Sequence, residues 1–326
     1  MTNFWNQLQP GFLALAPMEE VTDCAFRQLL FECGCPDVFF TEFTSCEGIS
    51  HTQGIHKVIH RLKYTPDQRP IVAQIWGKTP QNYLKTAKII VDMGFDGIDI
   101  NMGCPVKKVI KQGCCSALIK NQSLAKEIVL ATKEGAQAKI PVSIKTRIGL
   151  DVIDTENWLS FLLSECEPQA LTIHGRTVKE MSKVPNHWEE IAKAIQIKKN
   201  LNSNCLLIGN GDITSYKQAK QKSKTLGLDG VMIGRGVFKN PWIFNPKVDI
   251  AKIEPKQRIQ LLIRHLQLFE YFWKGQKDYN SLKRFFKIYI QAFKDASDLR
   301  TKLMETESTQ EAIKQLKSYL SLNPSS

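Results

Sequence analysis

Two periodicities alternate along the chain. Eight short apolar runs end in Gly, Asn, Pro or charged residues: LALAP (13–17), VFFTEF (38–43), IVAQIWG (71–77), GIDINMG (97–103), VSIKTRIG (142–149), ALTIHGRT (170–177), CLLIGNGD (205–212) and GVMIGRG (230–236). Their length and bounding residues predict strands. Between them lie stretches of helical character. PQNYLKTAKIIVDMG begins at Pro80, a residue suited to the first helical turn, and stops at Gly94; SLAKEIVLATKEG runs from Ser123 to Gly135 with the same kind of ending. Apolar strands separated by helices predict parallel β-α units, and eight of them predict an α/β fold of the (β/α)8 TIM-barrel type rather than an open sheet.

After NPWIF the strands stop. PKQRIQLLIRHLQLFEYFW, NSLKRFFKIYIQAFKD and STQEAIKQLKSYL predict a small C-terminal α-helical bundle, its last helix opened by a capping box from Ser308 to Glu311. The expected division is a barrel over 1–244 and a helical unit over 245–326. In the second of these helices Leu282, Phe286, Tyr289 and Phe293 share one face, and Lys283, Lys287 and Lys294 share its neighbour, either as a solvated stripe or as phosphate contacts.

Barrels of this kind keep their chemistry at the carboxyl ends of the strands, and there this chain places its unusual polar residues: Gln74, Asn101, Cys104, Lys145, Arg147, His174, Arg176, Asn210, Asp212 and Arg235. The glycine-rich endings IGNGD and IGRG close the last two strands, where barrels commonly hold a phosphate, so Asn210, Gly211, Gly234 and Arg235 are phosphate-binding candidates. Arg147 lies two residues beyond Lys145 on one strand and points to the same face.

Composition narrows the class. The net charge of +12 marks a basic surface that attracts polyanions, and 245–326 holds fifteen Lys or Arg against nine Asp or Glu, half of that excess. No stretch approaches the ~18 apolar residues of a membrane span, and MTNFWNQLQPGF lacks the regions of a signal peptide, so a cytoplasmic protein is expected. The nine cysteines are odd in number and show no C-x-x-C spacing, which argues against both a disulfide scaffold and a zinc site. His56 and His60 stand four apart without a third ligand, and with Lys57, Arg61 and Lys63 they read as a solvated face; no metal is expected. Cys104 differs from the other cysteines. It follows GIDIN and precedes Pro105, so it falls where a strand gives way to a loop, exposed enough for chemistry; packing and metal binding are the other readings of the residue alone.

Taken in order, APMEEVTDCAFR, AQIWG, DGIDINMGCPVKKVIKQGCCSALIK, VSIKTRIG, IHGRT, IGNGDI and DGVMIGRGVFKNPWIF resemble the flavin-dependent tRNA-dihydrouridine synthases over residues 13 to 244, followed by a helical region like that family's RNA-binding domain. The resemblance implies FMN, NADPH as electron donor, and a tRNA substrate. It implies that Ala16, Pro17 and Met18 line the flavin, that Gln74 bonds the isoalloxazine edge, that Lys145 sits near its pyrimidine portion with His174 beside flavin and substrate, and that Asn210, Gly211, Asp212, Gly234 and Arg235 hold phosphate and ribityl chain. Cys104 becomes the proton donor to the base. Asn101, Lys107, Lys108, Arg147, Arg176, Lys283, Lys287 and Lys294 become substrate or RNA contacts. A monomer suffices for this chemistry. The alternatives are an rRNA substrate, a small pyrimidine, or an RNA-binding protein without catalysis. Three places depart from the family pattern: Glu20 where glycine is usual, Cys114-Cys115 in place of small residues, and EMSKVPNHW in place of a more glycine-rich stretch. Met102 and Trp76 read equally as flavin neighbours or barrel packing.

Overall fold

The structure is a computed structural model that describes residues 3–323; residues 1, 2 and 324–326, the outer ends of the two expected units, lie outside the described residues. Among the described residues nine strands form one sheet: β1 Phe12–Leu15, β2 Phe39–Phe40, β3 Thr44–Ser45, β4 Ile71–Trp76, β5 Gly97–Met102, β6 Val142–Arg147, β7 Ala170–His174, β8 Leu206–Asn210 and β9 Gly230–Ile233. Every pairing is parallel, in the order β1-β9-β8-β7-β6-β5-β4-β2, with β3 also on β4. A bridge between Ala14 and Val38 joins the two ends, where the Leu15 N–H donates to the Val38 carbonyl at 3.0 Å. The ring is therefore a parallel barrel, as the eight apolar runs predict. One run departs from expectation: residues 38–43 do not make one strand. Thr41 Oγ1 takes the N–H of Gln74 at 3.1 Å, so a side chain replaces the ladder and splits the strand into β2 and β3.

The helices between strands begin where the sequence places them. One runs Pro80–Asp92 with Pro80 in its first turn, another Gln122–Ala136. The C-terminal segment differs more. Residues 280–295 form two single-turn helices, Asn280–Lys283 and Phe286–Tyr289, rather than one long helix; beyond them Ala292 and Asp295 adopt left-handed backbone (φ 63° and 61°), which a continuous helix to 295 could not hold. Leu282, Phe286 and Tyr289 are buried as expected, but the lysines no longer form one stripe. Lys283 Nζ donates to the Met304 carbonyl at 2.9 Å and lies over the Tyr279 ring, while Lys287 and Lys294 are exposed. At the last helix Ser308 caps the Glu311 N–H at 3.2 Å, whereas Glu311 reaches back to the N–H of Glu307 rather than that of Ser308.

Helix Cys24–Gly34 packs against helix Pro255–Trp273, and the two share one apolar core. Phe26 stacks on Phe285 with ring centroids 5.6 Å apart. Around this seam basic residues of the C-terminal unit pair with acids of the barrel: Arg264 with Glu32 at 2.7 Å, Lys277 with Asp23 at 2.9 Å and Arg284 with Glu20 at 2.9 Å. Three of the fifteen basic residues of this unit are thus paired with acids of the barrel. Arg61 pairs with Glu19 at 2.6 Å and is only half-buried, while Lys63 is exposed as expected, its Nζ donating to the Phe272 carbonyl at 2.9 Å. Glu20 occupies a left-handed position (φ 55°), which accounts for the glycine usual in that place. Its N–H donates to Glu42 Oε1 at 2.6 Å.

Glu42 is 2% exposed, and burial raises its carboxyl to about 7, with Lys277 opposing. A carboxyl whose folded value lies above its unfolded one contributes stability below the unfolded value and loses it as pH rises toward the folded value. Glu42→Gln removes this dependence. Relative to the parent, the variant gains stability between about pH 4.5 and 7, by on the order of 2–3 kcal/mol at the upper end. Denaturant titrations at pH 5 and 7.5 measure it, and parallel losses in both proteins would refute it.

Among the described residues no helix is long and apolar enough to cross a membrane, and no group of three His, Cys, Asp or Glu is placed to hold a metal ion. His56 is exposed, and His60 meets the Trp273 ring edge-on.

Candidate active site

At the carboxyl ends of the strands opens a cavity of about 870 Å³. Ala16, Pro17, Met18, Gln74, Asn101, Cys104, Lys145, Arg147, His174, Arg176, Asn210, Gly211, Asp212, Gly234 and Arg235 all border it. The sheet register explains this convergence. Asn101 pairs with Lys145, Arg147 with His174, and His174 with Asn210, so same-face residues of adjacent strands form tiers inside the ring. Met102 points the other way into the core and is fully buried, which settles it as packing, while Trp76 packs against the cysteine cluster of 104, 114 and 115.

Cys104 sits just past β5, but it is only 8% exposed, less than its place at a strand end suggests. The loop that carries it is held on three sides. Asn101 Oδ1 accepts the N–H groups of Gly103 and Cys104 at 3.0 Å each, Ser116 Oγ donates to the Cys104 carbonyl at 2.7 Å, and Arg147 Nε donates to the Gly103 carbonyl at 2.8 Å. The Cys104 thiol is lowered to about 7 by the Cys115 side chain beside it, against burial, with help from the Val106 backbone and the Arg147 charge. Cys115 itself is pushed well above the usual thiol range by burial. The second thiol is therefore a hydrogen-bond partner to Cys104 and not a rival acid near neutral pH.

Five Lys or Arg side chains line the cavity: Lys145, Arg147, Arg176, Arg235 and Lys239. Burial lowers Lys145 to about 8 and Arg147 to about 10, the neighbouring arginines adding to both. His174 is driven well below its usual value by burial and by Arg147, Lys145, Arg176 and Arg235, so its ring is neutral at pH 7. Two arginines expected at RNA also bond within the protein. Arg147 also donates to the Thr177 carbonyl at 3.2 Å; Arg176 is 2% exposed, donates through Nε to the Val184 carbonyl at 2.7 Å, and ion-pairs with Asp212. Both give donors to carbonyls of neighbouring loops while their side chains line the cavity. Asp212, expected at the phosphate, pairs with Arg176 and with Arg235, the latter at 3.5 Å. Gln74, expected at the isoalloxazine edge, has its amide engaged by Asp99 and Asn101. Lys107 and Lys108 are exposed on the short helix Lys107–Lys111 at the cavity rim.

Several residues escape sequence reasoning. Glu19, Phe43 and Phe238 also line the cavity, and Asp99 and Ser143 lie beneath it. The alternation of polar and apolar residues in GIDIN and VSIKTR carries the signal for the last two, because a polar residue every second position inside a barrel strand needs a polar partner across the ring.

Comparison with known proteins agrees with this geometry. The family model described as "Dihydrouridine synthase (Dus)" matches residues 14–323. The chain is 45% identical over 312 residues to a "Probable tRNA-dihydrouridine synthase" of Staphylococcus aureus (strain COL), covering 95% of this chain and 93% of the relative. It is 43% identical over 311 residues to "Probable tRNA-dihydrouridine synthase 2" of Bacillus subtilis (strain 168), covering 95% and 94%. Among solved structures, the histamine dehydrogenase of Rhizobium sp. 4-9 superposes with a TM-score of 0.55 at 12% identity, over 78% of this chain and 48% of that one, a likeness of fold. With its barrel, its cavity and a match over nearly its full length, the chain belongs to the dihydrouridine synthase family of flavin-dependent oxidoreductases.

Proposed function

We propose that the protein reduces specific uridines of tRNA to 5,6-dihydrouridine, with FMN as cofactor and NADPH as electron donor, residues 1–244 carrying the chemistry and 245–326 contributing to RNA binding. The observation that carries this reading is Cys104: a thiol lowered to about 7, on a loop fixed by Asn101, Ser116 and Arg147, facing a cavity at the barrel's catalytic end.

The residues fit a flavin nucleotide. Ala16, Pro17 and Met18 offer an apolar wall, and Gly234 leaves open space beside them, where an added Cβ would meet only Ala16 and Met18 at 3.6 and 3.8 Å. Lys145 and the arginines supply positive charge for a phosphate and for a flavin that gains electrons. When bound, FMN supplies the hydride that the uracil takes up at C6. Cys104 then holds the proton for C5, and its value near neutral pH suits a donor that must be reprotonated at each turnover. The neutral His174 can hydrogen-bond the substrate without adding a further positive charge. Purified protein that is yellow, oxidises NADPH and forms dihydrouridine in unmodified tRNA, read by mass spectrometry, supports the proposal; NADPH oxidation with tRNA left untouched would move the substrate to rRNA or a small pyrimidine.

Exposed Lys107, Lys108 and Lys287 flank the route for RNA. Lys287 rims a second cavity of about 400 Å³ with Val21, Phe238 and Ile288, and Phe238 also borders the main cavity. Replacing all three lysines by glutamine weakens tRNA binding and lowers the slope of log affinity against log salt by about one per lysine. Filter binding across a salt series checks this, and an unchanged slope would remove them from the interface.

A further inference from the structure

We infer that Asp99, which does not border the cavity, is a positioning residue that fixes the amide orientations of Gln74 and Asn101 and, through them, the loop that presents Cys104. The inference rests on the reading of Cys104 as proton donor. Asp99 is fully buried in β5, in register with Gln74 of β4 and Ser143 of β6. An ionised carboxylate only accepts hydrogen bonds. Ser143 Oγ donates to Oδ1 at 2.6 Å, and Gln74 Nε2 donates to Oδ2 at 2.7 Å.

With its nitrogen committed, Gln74 turns its Oε1 to Asn101, whose Nδ2 donates to it at 3.0 Å. Asn101 in turn presents Oδ1 to the N–H groups of Gly103 and Cys104, at 3.0 Å each. The two ends of this relay demand the same polarity. A carboxylate at one end requires a donor, and two backbone N–H groups at the other require an acceptor, so turning either amide over sets donor against donor and acceptor against acceptor. Sequestered from water, such mismatches are costly, and the relay has one low-energy arrangement. Asp99 supplies the end that a neutral side chain could not, because an amide at this position would satisfy either orientation of Gln74.

The charged group facing Asp99 is Lys145; the polar groups are Gln74 and Ser143. Burial raises the Asp99 carboxyl to about 6 while those three groups oppose it. At pH 7 it is therefore mainly ionised, the state the relay needs. Asp99 also helps keep Lys145 protonated.

The test uses the full chain and Asp99→Asn, which keeps the shape and removes the polarity. The readout is the pH midpoint of Cys104 alkylation by iodoacetamide on flavin-free protein, followed by peptide mass spectrometry. The midpoint is expected to rise by about one pH unit, as the loop moves away from the groups that lower the thiol. Direction separates this from a charge effect, since removing a nearby negative charge alone would lower the midpoint. Turnover on tRNA falls about tenfold or more, with KM for tRNA within about twofold. Asp99→Asn combined with Gln74→Glu reverses the polarity of the first link, because the carboxylate introduced on β4 accepts both from the amide introduced on β5 and from Asn101; this double variant is expected to restore the alkylation midpoint. A folded single variant with the parent midpoint, or a folded double variant with a raised one, overturns the inference, and the double variant alone decides if the single does not fold. Dihydrouridine formation by Cys104→Ala at the parent rate would instead sink the role of Cys104 and leave the alkylation result to judge Asp99.

Discussion

Cys104→Ala loses dihydrouridine formation by about 10²–10⁴-fold while keeping its flavin spectrum and its fold. The size of the loss follows from what else could give the proton. Cys115 is the nearest other thiol, but burial holds it well above the usual thiol range, so it parts with a proton poorly near pH 7. His174 is neutral and Lys145 stands near 8, yet Lys145 lies in the tier below, in register with Asn101 rather than on the loop. Removing the sulfur leaves the three tethers of the loop in place, because all of them reach backbone atoms. The variant therefore separates chemistry from architecture, and single-turnover assays on unmodified tRNA measure it. Turnover within about tenfold of the parent would show that the acid lies elsewhere.

Gly211→Ala is expected to lose both flavin and stability. Gly211 has φ of +133°, and a Cβ there would stand 2.0 Å from Asn186 Oδ1, in a side chain that is itself buried. The Asn186 amide would have to swing aside within a buried site, while its backbone N–H stays tied to Asp212 at 3.1 Å, and Asp212 in turn holds Arg176. The methyl group, one residue before the Asp212 carboxylate that pairs with the cavity's arginines, thus strains a backbone conformation that L side chains rarely adopt and crowds the Asn186 side chain. A cost of about 3 kcal/mol or more is expected, with flavin absorbance after gel filtration well below that of the parent. Retained flavin with an unchanged thermal midpoint would show that the turn accommodates a side chain.

Much of the barrel was legible because strands buried on both faces write themselves as apolar runs, and because their ends collect residues too polar for a core. The run 38–43 misled for a local reason, the insertion of the Thr41 hydroxyl into the ladder, which has no signature in composition. In the C-terminal unit the apolar spacing of Leu282, Phe286 and Tyr289 did mark buried positions, but nothing in Ala292 or Asp295 announces left-handed backbone. Arg147 and Arg176 were legible as cavity residues, but their bonds to carbonyls of neighbouring loops were not. A guanidinium at a strand end can serve RNA or a buried carbonyl, and the carbonyls here belong to the irregular loop 177–184, whose path has no periodicity to read. Asp99 hid for a related reason: its partners lie on β4 and β6, and only the register brings them together.

The seam between helices Cys24–Gly34 and Pro255–Trp273 has a consequence for substrate choice. A shared apolar core and three ion pairs leave the C-terminal helices no free hinge against the barrel. If those helices grip RNA as proposed, the protein acts as a caliper of fixed span, and the uridine that reaches Cys104 is chosen by its distance along the folded RNA from the gripped phosphates more than by the bases around it.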